Sequence, residues 1–207
     1  MTETIALENP LTMLARNGPL IIKSSMDKKA FHRFLLRNEE FKIERDKHGI
    51  ITIHPLMTLD SGFDEGEVFF ALKLWSNTNN LGKAYSPSTS FDLPDGATCK
   101  ADGAWISMKK LNRLSPEERK HIAAIVPDFV MEVRSQTDRI SKLKKKMEEV
   151  WIANGVRLAW LIDPINEKAW VFRASGVKEE IKDFSGQLDG EDVLPGFVLK
   201  LQELKEQ

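Results

Sequence analysis

The sequence has few of the residues that mark secreted, membrane-spanning or fibrous proteins. Its 207 residues include a single cysteine, Cys99, so it can form neither an internal disulfide nor a thiolate zinc site, and a reducing cytoplasm is the expected compartment. No apolar run approaches the roughly 18 residues that cross a bilayer, and the N-terminus lacks a signal-peptide pattern, so no membrane association is expected. With 12 glycines and 9 prolines, the chain is neither fibrous nor of low complexity.

A large net charge is also lacking. The 30 lysines and arginines nearly balance the 31 aspartates and glutamates, for a formal net charge of −1. This balance disfavours a protein that coats nucleic acid over its whole surface. The charge is uneven, however, because residues 134–146 contain six basic residues and one acidic residue. Any phosphate-binding site is therefore expected to be local.

The pattern of apolar residues predicts one domain of mixed α/β (α+β) class. No internal repeat or flexible linker divides the chain, so we predict an N-terminal arm over residues 1–24 and a single domain over residues 25–207. The order strand, helix, strand across residues 128–163 predicts a parallel pair of strands. The other predicted elements are helices within 27–40, 65–79 and 138–153, and strands over 41–45 and 49–55.

Glu132 is the first residue that suggests chemistry. It lies inside the apolar run DFVMEV, where a buried carboxylate is costly unless it is paired, protonated or bound to a metal. A solvated Glu132 on an edge strand is the alternative. Arg134, two residues on, is expected on the same face of the strand. Asp128 lies roughly 13 Å away along the strand, too far to share an ion with Glu132. Asp102, before an apolar segment that could pair with this strand, is either the better metal-binding partner or an ordinary turn aspartate.

The helix after Glu132 carries a cluster of lysines. Apolar residues at helical spacing define its buried stripe, namely Ile140, Leu143, Met147, Val150 and Trp151. Lys144 and Lys146 flank this stripe, so either could extend toward the face of the sheet that holds Glu132. The alternative is that these lysines form a solvated surface.

Taken in order, these segments resemble the Uma-type restriction endonucleases of the PD-(D/E)XK nuclease superfamily. The resemblance extends from about Glu44 to Leu199. It is carried by LPDGATCKADGAWIS, PDFVMEVRSQTD, the helix with Lys146-Met147, NGVRLAWLIDP and GEDVLPGFVL. It implies a restriction-endonuclease-like core with a mixed central β-sheet flanked by helices, here with an extra N-terminal helix and strands.

The same resemblance implies the roles of individual residues. Asp102 matches the first metal-binding aspartate, Glu132 matches the glutamate of the ExK element, and Lys146 matches a lysine that has moved to the following helix. Arg134 stands where the classical lysine of that element would be. Glu44, in KIER, matches an acidic position that completes the catalytic cluster.

The implied cofactor is Mg²⁺, for which Mn²⁺ can substitute. Asp102, Glu132 and the backbone carbonyl of Val133 would bind the ion, while Arg134 and Lys144 would contact phosphate.

The implied function is hydrolysis of phosphodiester bonds in DNA by a cytoplasmic, homodimeric endonuclease. Lys146 would orient or deprotonate the attacking water, or stabilise the transition state. One alternative is a nucleic-acid-binding or regulatory module with the same fold and little or no cleavage activity. Another is a structural protein whose carboxylates form a buried ion-pair network with Arg134 and Lys146.

One departure from the family pattern affects Lys146. The interval from Lys146 to Gly155 is one residue longer than the resemblance implies, and one extra helical residue rotates the rest of the helix by about 100°. If the extra residue precedes Lys146, the lysine assignment fails. If it comes after Lys146, the assignment stands and the helix is expected to carry a bulge.

Overall fold

The computed structural model describes residues 18–205, which form a mixed α/β fold. The helices are α1 (Lys28–Leu36), α2 (Leu59–Asn79), α3 (Met108–Leu111) and α4 (Ile140–Lys146), and α4 continues as a π-helix over Met147–Ile152. The strands are β1 (Leu20–Lys23), β2 (Ile43–Arg45), β3 (Ile50–Ile53), β4 (Gly82–Tyr85), β5 (Ser90–Asp92), β6 (Thr98–Lys100), β7 (Gly103–Ser107), β8 (Phe129–Val133), β9 (Leu158–Asp163), β10 (Lys168–Arg173), β11 (Lys178–Ile181), β12 (Gln187–Asp189) and β13 (Val198–Lys200). Short 3₁₀ segments occupy Glu118–Lys120, Pro164–Asn166 and Leu201–Leu204.

Two main sheets organise these strands. The first has the order β1-β3-β2-β6-β5, and the second has the order β11-β10-β9-β8-β7-β4. Strands β8 and β9 pair in parallel, with Phe129 opposite Leu158, and this confirms the parallel pair predicted within residues 128–163. The other neighbours in both sheets are antiparallel, and β12 and β13 form a separate antiparallel pair.

The second sheet is covered on both faces, because successive side chains of a strand point to opposite sides. On β9, Trp160 packs in one apolar cluster with Val68 and Leu72 of α2. Leu161 packs in the other cluster with Met147 and Trp151 of the π-helix. On β8, Met131 and Val133 belong to the α2 cluster and Val130 to the π-helix cluster. Glu132 alternates with Met131 and Val133, so it points toward α4 and its π-helical extension.

The N-terminal helices and strands have the types predicted from the sequence, but their bounds differ from the predicted ones. The predicted first helix and the two strands after it are α1, β2 and β3. Helix α2 begins at Leu59, six residues before the predicted start. Thr58 caps it by accepting a hydrogen bond from the backbone N–H of Ser61 at 3.3 Å. Gly62, a weak helix former, lies within these first six residues, which is why the sequence did not predict them as helical.

Most of the predicted N-terminal arm lies outside the residues that the structure describes. Residues 20–23 form β1, which pairs with β3. Residues 1–17 of the arm lie outside the described residues, and the division at residue 24 stays a prediction. Within residues 18–205, no helix has both the length and the apolar character required to cross a membrane.

Candidate active site

Asp102 and Glu132 lie on adjacent positions of two neighbouring strands. The chain crosses from β6 of the first sheet to β7 of the second at Asp102. Gly103 pairs with Met131, which places Asp102 beside Glu132. Gly103 leaves room for the Met131 side chain, because a Cβ at position 103 would lie 2.1 Å from Cε of Met131. The two carboxylates therefore meet where the two sheets join.

Both carboxylates are buried, which excludes the simpler interpretations of the sequence. Glu132 is 2% exposed and Asp102 is 3% exposed. Strand β8 lies between β7 and β9, so the alternative of a solvated Glu132 on an edge strand is wrong. Asp102 is not an ordinary surface turn residue either, because its Oδ2 accepts a hydrogen bond from the backbone N–H of Val133 at 2.8 Å.

Lys146 joins this pair from α4. Its Nζ lies 2.8 Å from Oε1 of Glu132 and 2.9 Å from Oε1 of Glu44, and it donates to the carbonyl of Lys100 at 3.0 Å. Glu44 is held on its other side, where Nε2 of His54 lies 2.9 Å from Oε2. The structure therefore brings together Asp102, Glu132, Glu44 and Lys146, all four of which were expected at the site from the sequence.

The helix contains the bulge that is expected if the extra residue comes after Lys146. The π-helix begins at Met147, and within it the N–H of Ala153 donates to the carbonyl of Glu148, five residues back, at 3.0 Å. Residues five apart lie on one face of such a helix. Trp151 consequently lies on the same face as Lys146, and its Nε1 donates to Oε1 of Glu132 at 2.9 Å.

Three further polar residues line the site and were not identified from the sequence. Lys42 precedes β2, and its Nζ lies 2.5 Å from Oδ1 of Asp102. Glu65 of α2 hydrogen-bonds to Asp102, and His54 comes directly after β3. These three surround a cavity of about 90 Å³ that Asp102, Glu132 and Lys146 also line.

The sequence nevertheless contains signals for two of them. Lys42 and Glu44 flank the buried Ile43, so the two charged side chains share a face of the chain. Glu65 falls at helical spacing with Val68 and Leu72, which places a carboxylate on the buried stripe of α2.

The electrostatics of the cavity favour an ionised Asp102 and a charged Lys146. Burial raises the pKa of Asp102, but the Lys42 ammonium and the Val133 N–H outweigh it and hold that pKa below its usual range. Burial also opposes the charge on Lys146, yet Glu132 and Glu44 raise the pKa of its ammonium well above the usual value. Lys146 is therefore protonated at neutral pH.

The two glutamates that face Asp102 behave differently from it. Burial and the nearby Asp102 charge raise the pKa of Glu132, although Lys146 offsets part of this effect. Burial, followed by the charge of Asp102, raises the pKa of Glu65 to about 8. Glu65 consequently carries a proton at neutral pH and can donate it in its hydrogen bond to Asp102. The cavity thus holds more carboxyl groups than its lysines neutralise.

The chemical type of the donor atoms in the cavity suits a hard divalent cation. Carboxylate oxygens are the ligands that Mg²⁺ prefers, and both Asp102 and Glu132 present them to one cavity. The Lys42 ammonium already lies against Asp102 as a stand-in cation. Within residues 18–205, no three or more His, Cys, Asp or Glu side chains converge as a ready-made metal site. The fit therefore rests on Asp102 and Glu132, with Val133 lining the same cavity.

Arg134 and Lys144, expected at phosphate, lie outside this cavity. Strand β8 ends at Val133, and Nη1 of Arg134 pairs with Oδ2 of Asp163 at 3.0 Å. Arg134 lines a neighbouring cleft of about 520 Å³. Nζ of Lys144 lies 3.8 Å from the centre of the Trp170 ring. The phosphate-binding roles of both residues stay predictions.

Comparison with known proteins identifies the family. The sequence profile of the Uma2 family, described as "Putative restriction endonuclease", matches residues 29–202. A crystal structure described as a "putative nuclease belonging to DUF820" from Anabaena variabilis shares 18% sequence identity, and the match covers 78% of this chain and 88% of that chain with a TM-score of 0.66. At that identity the likeness establishes the restriction-endonuclease-like fold. No curated protein shows significant sequence similarity. Because the profile matches most of its length, the chain belongs to the Uma2 family of restriction-endonuclease-like proteins.

Proposed function

We propose that this chain is an endonuclease that hydrolyses phosphodiester bonds in DNA with the help of Mg²⁺. The observation that carries the proposal is the meeting of Asp102, Glu132 and Lys146 in one cavity. Buried carboxylates and lysines with shifted pKa values cluster at catalytic sites, and Asp102, Glu132 and Lys146 form such a cluster. Family membership supports the same reaction class.

Asp102 and Glu132, with the backbone carbonyl of Val133, would hold Mg²⁺ or Mn²⁺. When bound, such an ion lowers the pKa of a coordinated water and neutralises charge on the scissile phosphate. Asp102 is well suited to this role because it stays ionised although it is buried. Its hydrogen bond from Val133 fixes the carboxylate against β8.

Lys146 would act as a fixed positive charge and a hydrogen-bond donor. Its ammonium is protonated at neutral pH and is held by Glu132, Glu44 and the Lys100 carbonyl. A protonated lysine cannot accept a proton from water, so orienting the water and stabilising negative charge at the phosphate are the roles that fit it. Glu44 would serve as a positioning residue that holds Lys146.

DNA would extend beyond the cavity along the neighbouring cleft. That cleft shares Ser61 and Gln136 with the cavity and includes Arg134, which would contact a flanking phosphate. Lys144, which lies against the Trp170 ring, would contact a more distant one. A homodimer would place one such site on each strand of a duplex. The free, buried Cys99 fits the reducing conditions of the cytoplasm.

The test is cleavage of plasmid DNA by the full chain with Mg²⁺ or Mn²⁺. Asp102→Asn and Glu132→Gln should each lower the nicking rate by about 100-fold or more, because each removes a charged oxygen donor from the site. Asp128→Asn is the matched control, since Asp128 is equally buried at 3% exposure but does not line the cavity. Equal nicking by Asp102→Asn and the unaltered chain would identify the activity as a contaminant.

A nucleic-acid-binding module without cleavage is the second candidate. The observation that favours it is the pairing of both site carboxylates with lysine ammonium groups, which satisfies them without a metal. Metal titration separates the two candidates. Mg²⁺ binding that is lost in Glu132→Gln supports the enzyme, whereas DNA binding that is indifferent to Mg²⁺ and to this substitution supports the module.

A further inference from the structure

We propose that Lys42 is a built-in counter-ion that occupies the cation position at Asp102 until a divalent ion displaces it. This inference rests on the proposed function, since it assigns a role to Lys42 at the same metal site. Oδ2 of Asp102 is committed to the Val133 N–H at 2.8 Å, while Oδ1 is bound by the Lys42 ammonium at 2.5 Å. A metal ion that binds Oδ1 at this position would therefore compete with the Lys42 ammonium.

The two lysines of the cavity differ in how firmly they are held. Lys146 has three acceptors, namely Glu132, Glu44 and the Lys100 carbonyl, and its side chain is 16% exposed. The Lys42 side chain is 26% exposed and reaches Asp102 from the rim of the cavity. The Lys42 side chain can turn toward solvent and stay at the rim of the cavity. Lys146 cannot move away without removing the ammonium partner that the buried Glu132 and Glu44 share. Lys42 is the cation that exchanges.

The excess of carboxylates over ammonium groups in the cavity favours replacement of Lys42 by a divalent ion. Asp102, Glu132 and Glu44 face Lys42 and Lys146, so two ammonium groups oppose three carboxylates. A divalent ion that replaces Lys42 makes this balance more favourable by adding charge where carboxylates are crowded. The displaced ammonium would remain at the cavity rim, where a DNA phosphate would lie. Lys42 thereby lowers the affinity of the empty site for metal and becomes available to substrate after metal binds.

The chain contains a closely matched pair for comparison. Nζ of Lys110 lies 3.0 Å from Oδ1 of Asp128, with side chains 25% and 5% exposed, against 26% and 4% for Lys42 and Asp102. Oδ2 of Asp128 accepts the backbone N–H of Ser107 at 2.8 Å, as Oδ2 of Asp102 accepts that of Val133. Neither Lys110 nor Asp128 lines the cavity. Lys110→Met therefore removes an equivalent lysine–aspartate ion pair but leaves the proposed metal site unchanged.

The experiment is calorimetric titration of the full chain with Mn²⁺ at pH 8, without DNA. Lys42→Met should bind Mn²⁺ about tenfold more tightly than the unaltered chain, because it has no competing ammonium, and Lys110→Met should match the unaltered chain. Equal or weaker binding by Lys42→Met overturns the role of Lys42 and leaves the proposed function standing. If none of the three folded proteins binds Mn²⁺, the metal site itself is wrong.

A measurement on the unaltered chain covers the case in which Lys42→Met does not fold. In NMR spectra of the lysine ¹⁵Nζ groups, Mg²⁺ should shift the signal of Lys42 and leave that of Lys110 in place. A Lys42 signal that stays unchanged at saturating Mg²⁺ contradicts displacement.

Discussion

At the scale of single residues, Lys146 has a structural role as well as a chemical one. It is the shared partner of Glu132 and Glu44, which are 2% and 9% exposed. Removing one member of a buried ion pair leaves an uncompensated charge, which is strongly destabilising. Loss of activity after substitution of Lys146 therefore has two possible causes, and stability must be measured beside it.

Lys146→Met should lower the free energy of unfolding by about 3–5 kcal/mol, because two buried carboxylates lose their common partner. Chemical denaturation in EDTA measures this. The adjacent Lys145→Met is the control, since Lys145 and its partner Glu149 are 68% and 62% exposed and such surface pairs contribute little. Similar losses in the two variants would contradict the shared ion pair.

Glu65 should make the stability of the metal-free protein depend on pH. Its pKa is about 8 in the folded chain against a usual value of 4.5, so the folded state binds a proton that the unfolded state has lost. The resulting stabilisation is present below pH 4.5 and decreases as pH rises to 8. In EDTA, Glu65→Gln should lose less stability than the unaltered chain between pH 5.5 and pH 8.5.

Thermal unfolding at a series of pH values measures this difference. Glu67→Gln, on an exposed position of the same helix, should leave the profile of the unaltered chain unchanged. Parallel profiles for Glu65→Gln and the unaltered chain would contradict a protonated Glu65.

At the scale of elements, the π-helix is the bulge that is expected if an extra residue follows Lys146. In a regular α-helix, residues five apart differ in direction by about 140°, whereas residues four apart differ by about 40°. The wider turn of the π-helix returns Trp151 to the face of Lys146, so both contact Oε1 of Glu132. A helix shorter by one residue would reach the same geometry without the bulge.

Deletion of Glu149 should therefore be tolerated. The residue is exposed within the π-helix, and its removal should convert the segment to a regular α-helix that keeps Lys146 and Trp151 on one face. The midpoint of thermal unfolding should stay unchanged or rise. Insertion of one alanine after Glu149 should instead lower the midpoint, because it separates the two side chains. Equal effects of deletion and insertion would contradict compensation by the π-helix.

At the scale of the whole molecule, the sequence was most informative where one segment contained the whole signal. A carboxylate inside the apolar run of β8 pointed to Glu132, and family motifs placed Asp102 and Lys146. Lys42 and Glu65 were missed because each is a single polar residue on an ordinary amphipathic segment. The local pattern places each on a buried face, but their meeting at Asp102 appears only when the first sheet and α2 pack against β8, because long-range contacts leave little local trace. Arg134 was expected beside Glu132, but the strand ends first and Asp163 binds it.

The local charge seen in the sequence leads to a prediction about DNA binding. Of the six basic residues within 134–146, Arg134, Lys144 and Lys146 have partners inside the fold, whereas Arg139 and Lys142 are exposed beside the cavity-lining Asp138 and Leu143. These two positions are where phosphates would lie.

The double variant Arg139→Gln/Lys142→Gln should weaken binding to duplex DNA in EDTA. It should also reduce the slope of log K against log salt concentration by about 1.8, since each phosphate contact contributes about 0.9. Fluorescence anisotropy at several salt concentrations measures both quantities. The control is Lys182→Gln/Lys200→Gln, which removes the same charge from two exposed positions near the C-terminus. These lysines are next to Ile181 and Leu199, whose side chains pack on the face of the second sheet opposite α4. An equal change of slope in the two double variants would show that DNA responds to total charge, and would contradict a binding surface at α4.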